Sequence, residues 1–131
     1  MRIAAIFLLL LPALTAGPMI SNLIMRAVNV NGGSTATLRA HYATPGSTIY
    51  FCYSMAGTGP TPTPYGFSLD LSPPIGGGLA PGWSATVNAN GEAMIYVGVP
   101  AGLTGALVWG QAIENDGGVF SISPVIDGVV G

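Results

Sequence analysis

The sequence predicts an all-β protein, an antiparallel β-sandwich of immunoglobulin-like type with seven or eight short strands, preceded by an N-terminal signal segment. Three observations lead there. Short runs alternate apolar and polar residues with period two. Turn residues interrupt the chain every 8 to 15 positions, with 20 Gly and 11 Pro among 131 residues. No segment sustains a 3.6-residue apolar stripe with helix caps.

The elements follow in chain order. Met1 to Ala16 reads as a secretory signal: Arg2 supplies the positive start, Ile3 to Leu11 is unbroken apolar, Pro12 breaks it, and Thr15-Ala16 offers a small-residue cut before Gly17. An uncleaved anchor is the rival, but nine apolar residues span only about half of a ~30 Å hydrocarbon core. Residues 17–131 then form one β-sandwich domain by length. Leu23 to Val30 reads as a first strand, ended by Asn31-Gly32-Gly33. Ser34 to Tyr42 sets Ala36, Leu38, Ala40 and Tyr42 against Thr35, Thr37, Arg39 and His41, a half-buried strand. The turn Thr44-Pro45-Gly46 leads into Thr48 to Ser54, rich in β-branched and aromatic residues.

Met55 to Pro64 holds three alternating prolines and reads as an extended polyproline-type loop. Phe67 to Leu71 is a short strand, and Ser72 to Gly82 a Pro- and Gly-rich loop. Trp83 to Val87 and Glu92 to Val99 flank Asn88-Ala89-Asn90-Gly91, the chemistry of a tight hairpin. Ala106 to Ile113 and Val119 to Ile122 are the last strands, joined through Asn115-Asp116-Gly117-Gly118.

Only 6% of the chain is charged and 50% is hydrophobic. A soluble monomer commonly carries charge on roughly a quarter of its residues. A formal net charge of −2, with three arginines and no lysine, argues against nucleic acid, which requires a basic footprint, and against anionic lipid. No stretch of the mature chain is long and apolar enough for a transmembrane helix.

Candidate chemistry is sparse. His41, the single histidine, sits beside Arg39 on a polar strand face, and one histidine does not make a metal site. The five carboxylates Asp70, Glu92, Glu114, Asp116 and Asp127 show no paired spacing, and four lie in or beside turns. An enzyme would need two carboxylates, or His41 and a carboxylate, in one cleft. Cys52, the only cysteine, excludes an internal disulfide; it is a buried small hydrophobe or an intermolecular link. The Asn/Asp/Gly turns at 29–32, 88–92 and 114–117 could offer oxygens to calcium but lack the ordered acids of a calcium loop, so they read as plain turns. No cofactor, metal or catalytic residue is expected.

Several strands are apolar on both faces. Glu92 to Val99 places Met94 and Tyr96 opposite Ala93, Ile95 and Val97. Ala106 to Ile113 places Leu107, Trp109 and Ile113 opposite Val108 and Ala112. A second apolar face has to be covered, either by a loop of the same chain or by another subunit. Tyr96, Met94, Leu107, Trp109 and Ile113 are therefore the candidate assembly interface. Thr61, Thr63, Tyr65 and Trp83 are the candidate ligand loops, with Trp and Tyr able to stack on sugars.

The stretch Thr44-Pro45-Gly46-Ser47-Thr48-Ile49-Tyr50-Phe51, then Tyr53 to Pro60, Leu69-Asp70-Leu71, Ala85 to Ala93 and Val108-Trp109-Gly110-Gln111-Ala112 resembles small secreted β-rich domains of bacteria. The resemblance spans about residues 43–125. It implies an exported, sandwich-like, non-catalytic module and transfers no catalytic residue.

The expected function is a secreted or cell-envelope structural protein that associates with itself, with Leu23 to Val30 as a candidate for strand addition to a neighbour's sheet edge. The alternative is an extracellular binding or adhesion module that recognises carbohydrate or a surface protein through its loops.

Overall fold

A computed structural model describes residues 22–131; the leader expected at 1–16 lies outside them. Eleven strands run in the order β1 (Ile24–Val28), β2 (Thr35–His41), β3 (Thr48–Ser54), β4 (Thr58–Pro62), β5 (Ser68–Leu71), β6 (Ile75–Gly77), β7 (Ser84–Thr86), β8 (Ala93–Gly98), β9 (Leu107–Asp116), β10 (Val119–Ile122) and β11 (Ile126–Val129). A single 3-10 turn, Ala101–Leu103, is the only helical element among the described residues. All pairings are antiparallel.

Sheet I has the order β1-β2-β8. Sheet II has the order β10-β9-β3-β6, with β11 also on β9 and β7 also on β3. The sheets face each other in a sandwich-like arrangement. Met25, Leu38, Ala40 and Ile95 from sheet I meet Ile49, Phe51 and Ala112 from sheet II in one buried cluster. These are the inward positions of period-two strands, and the burial pattern of β2 alternates accordingly.

Two segments differ from the sequence-based expectation. The proline-rich segment is a strand, not a polyproline loop. β4 pairs with β5 through Thr58↔Leu71, Thr61↔Leu69 and Pro62↔Ser68, with a register break between Thr58 and Thr61. Proline is tolerated there because β4 is an edge, so a missing N–H leaves no ladder partner stranded. Second, Asn88 to Gly91 does not close a two-stranded hairpin. β7 pairs with β3 while β8 pairs with β2, so the turn carries the chain from one sheet to the other. β1 pairs with β2 of its own chain from Ile24↔His41 to Val28↔Thr37, so it is the edge strand of sheet I with one edge unpaired.

The β4–β5 hairpin forms a partial third layer on the outer face of sheet II. Leu69 and Leu71 pack there with Cys52 and Ile113, joined by Tyr50, Phe67, Trp109 and Phe120. The second apolar faces of β3 and of β9 from Trp109 to Ile113 are thus packed by the same chain, while Leu107 at the start of β9 stays exposed. Gln111, fully buried on that face, anchors the cover. Its Oε1 accepts from the Asp70 N–H at 2.9 Å, and its Nε2 donates to the Ser123 carbonyl at 2.8 Å and to Asp70 Oδ2 at 3.3 Å.

Glu114 lies on β9 and not in a turn. Its buried carboxylate accepts from the Thr44 N–H at 2.6 Å and from Ser47 Oγ at 2.8 Å, fixing the β2–β3 turn. β6 includes the first two of three consecutive glycines, and nothing larger fits at Gly77: a Cβ there would lie 2.4 Å from the Phe51 carbonyl oxygen, at a backbone φ of +78°.

Candidate functional site

The outer face of sheet I has no cover among the described residues. The register sets Val28, Thr37 and Tyr96 in one cross-strand row and Arg26, Arg39 and Met94 in the next. Tyr96 is 65% exposed, Val28 52% and Met94 41%. Arg26 and Arg39 are the only cations of the described chain, and they stand directly opposite each other. Like charges in that position repel.

Sheet II presents the opposite chemistry. At its β9–β11 end Leu107 pairs with Val129, both more than half exposed, and Trp109 pairs with exposed Asp127. Asp70 on the hairpin and Asp116 at the β9–β10 turn add two more exposed carboxylates to this side. The two arginines thus lie on sheet I with half-exposed Glu92 near Arg39, and three exposed acids lie on the other layer, Asp127 at the Leu107 end of β9 and Asp116 at its opposite end.

The five residues of the expected assembly interface do not share a surface. Met94 and Tyr96 lie on the open face of sheet I. Leu107 lies on the far side of the molecule. Trp109 and Ile113 pack under the β4–β5 hairpin, so they are not available as an outer face. The expected ligand loops are likewise divided. Thr61 Oγ1 donates to the Leu71 carbonyl at 2.5 Å and Thr63 Oγ1 to the Phe67 carbonyl at 2.7 Å, so both hydroxyls serve the hairpin. Trp83 stacks on Tyr53 with ring centroids 5.2 Å apart and packs against the main core. Tyr65 alone stands open, 53% exposed at the hairpin tip and 5.5 Å from the ring of Phe120.

Two concavities accompany these faces. The larger, about 430 Å³, lies between the sheets at the end where β1 stops and β2 begins. Ala27, Ala36 and Val97 line it from sheet I, and Tyr53, Val108 and Gly128 from sheet II. The smaller, about 160 Å³, collects Arg39, His41, Thr86 and Glu92. Here His41 Nδ1 lies 3.4 Å from Glu92 Oε2, and His41 Nε2 is buried without a hydrogen-bond partner. His41 and a carboxylate in one cleft is the arrangement that an enzyme would need, although sequence alone did not single out Glu92 as the partner. A histidine oriented by a carboxylate is the base half of a relay; a relay also needs a nucleophile in hydrogen-bond reach, and none is bonded to this pair.

Cys52 is buried beneath the hairpin, and loss of hydration pushes its thiol up to about 11. It is a packed hydrophobe and not a reactive thiolate. The Asn-rich turns use their own oxygens: Asn88 Oδ1 accepts from the N–H groups of Asn90 and Glu92, and Asn115 Oδ1 from that of Gly118. Among the described residues no three His, Cys, Asp or Glu side chains converge as a metal site, and no helix is long and apolar enough to cross a membrane.

The chain matches no protein-family model, no curated protein and no solved structure.

Proposed function

We propose that this is an exported, non-catalytic structural protein of the cell envelope or exterior that assembles with copies of itself, the basic face of sheet I in one molecule resting on the acidic end of sheet II in the next. The observation that carries the reading is that two uncovered apolar patches hold charges of opposite sign. Val28, Tyr96 and Met94 surround Arg26 and Arg39 on one layer; Leu107 and Val129 flank Asp127 on the other. Such an interface uses two different surfaces, so it repeats head to tail and extends into a filament or closes into a ring. The apolar rows supply contact area, and the arginine–aspartate pairing sets orientation and relieves the repulsion between the arginines.

The strand order, β1-β2-β8 facing β10/β11-β9-β3, supports reading the sandwich as immunoglobulin-like, in keeping with the exported bacterial domains that the turn motifs resemble. The apolar leader supports export. The loop-binding alternative rests on Tyr65 alone, since the other three loop residues are engaged internally.

The test is light scattering with electron microscopy on residues 17–131 and on two charge reversals. Arg39→Glu and Asp127→Arg should each reduce the assembled mass. An equimolar mixture of the two should restore it, because the carboxylate introduced on sheet I of the first variant then meets the guanidinium introduced on sheet II of the second. The unaltered surfaces of the two variants remain complementary to each other as well. A wild-type monomer at high concentration, or a mixture no larger than its components, overturns the proposal.

A further inference from the structure

We infer that the unfilled end of the inter-sheet core is a binding site for an uncharged molecule with an alkyl chain of roughly ten carbons, entering between the edge strands β1 and β11. This goes beyond self-assembly; the cavity shares only its rim, Asp127 and Val129, with the assembly surface.

The two halves of the core differ in what the strands bring to it. In one half Leu38, Ile49, Phe51 and Ile95 face inward and are buried. In the other, Ala27 and Ala36 on sheet I and Gly128 on sheet II leave space among Val97, Val108 and Ile126, while Gly110 lies under Met25. Packed sheets stand about 10 Å apart, and alanine opposite glycine does not span that gap. The filled half holds the spacing. At the other end a main-chain strap does the same: the Gly131 N–H donates to the Val30 carbonyl at 2.9 Å, and the Gly32 N–H to the Gly131 carbonyl at 2.8 Å. The sheets are thus kept from closing on the empty space.

Two positions mark the mouth. Ala27 and Gly128 face inward, yet both are exposed, and a Cβ added at Gly128 would meet no atom within 4 Å. They lie on β1 and β11, the edges of the two sheets on the same side. Trp83 stacked on Tyr53 forms an aromatic wall inside.

The lining sets the chemistry of the ligand. About 430 Å³ exceeds the 150 Å³ that holds benzene and lies within the range of small-molecule pockets. The walls are aliphatic and aromatic, with no cation, and Asp127 at the rim is the one charge. An anionic headgroup has no partner there, so a neutral amphiphile is favoured over a fatty acid.

The experiment follows displacement of the fluorescent probe N-phenyl-1-naphthylamine from the purified protein by 1-decanol, decanoate and 1-butanol. Decanol should displace it, decanoate about tenfold less well, and butanol hardly at all, since each methylene left in water weakens binding several-fold. Gly128→Leu and Ala27→Leu should each abolish displacement while leaving the melting temperature unchanged or raised, because they fill the cavity. Tyr96→Ser, on the outer face, should bind as wild type. Failure of decanol, or full binding by the filled variants, overturns the site; equal affinity for decanoate overturns the neutral headgroup. Assembly of the filled variants, read in parallel by light scattering, separates this result from the fate of the self-association proposal.

Discussion

Replacing Gln111 with Ala tests whether one buried amide holds the third layer in place. The substitution removes two short hydrogen bonds, to the Asp70 N–H at 2.9 Å and the Ser123 carbonyl at 2.8 Å, and leaves both groups without a partner. Leaving a buried donor or acceptor unpaired costs about 1.5 kcal/mol, so stranding the two groups loses roughly 3 kcal/mol. If the loss falls on hairpin opening, the open population rises by about a hundredfold. Cys52 reports that opening, because it is the only thiol and lies under Leu69 and Leu71. In the closed state its raised pKa, about 11 against 9.0, leaves about a hundredfold less thiolate at neutral pH. The assay is the rate of Cys52 labelling by a maleimide, followed by mass spectrometry, beside tryptophan fluorescence as a monitor of the sandwich. Labelling should accelerate about a hundredfold at temperatures where fluorescence stays native. An unchanged rate would refute the anchoring role of Gln111. Acceleration only in step with global unfolding would refute the hairpin as a separately opening unit.

Other outcomes follow from the same geometry. Glu114→Ala should cost about 3 kcal/mol in urea denaturation, because two donors of the β2–β3 turn lose their acceptor, whereas Glu114→Gln should cost about 1 kcal/mol by keeping an oxygen there. The folded-state pKa of Cys52 lies above its ordinary value, so its contribution to stability is complete below pH 9 and is lost as pH rises towards 11; the loss, roughly 2–3 kcal/mol, should vanish from the alkaline denaturation profile of Cys52→Ala. Phe51→Ala, at the largest fully buried side chain, should destabilise by about 3–5 kcal/mol in the same assay. Arg26→Gln should raise monomer stability by about 0.5 kcal/mol at low salt, and by less as salt screens the pair.

Local chemistry made part of this fold legible. β3 and β10 occupy the spans read from sequence, and β2 carries the expected alternation, because side-chain period and turn glycines act within a few residues. β4 was hidden because its prolines argue for a loop; its strand character comes from β5, which pairs with it across a register break. β6 was hidden in a glycine run whose extended path depends on Tyr53 and Trp83 overhead. Asn88 to Gly91 has the chemistry of a hairpin turn, but sheet membership of the flanking strands is a long-range property. The doubled apolar faces of β3 and β9 announced that a cover was needed, and its identity lay in the tertiary structure. Gln111 stood out as an amide in an apolar strand, a signal that could have marked the anchor.

The ladder between β3 and β9 has a consequence for the order of folding. Phe51 is paired with Ala112, and β2 with β8 across a similar stretch of chain, so the centre of each sheet is closed by strands remote in sequence. Only β1–β2, β4–β5 and β9–β10 can form from neighbours. Until β9 becomes available, β3 can pair only with the three-residue strands β6 and β7, and its long edge stands open. Loop closure over such distances places folding in the millisecond-to-second class. During that interval the chain has few charges to keep copies apart, so productive folding requires that β3 be shielded until residue 116 has joined it.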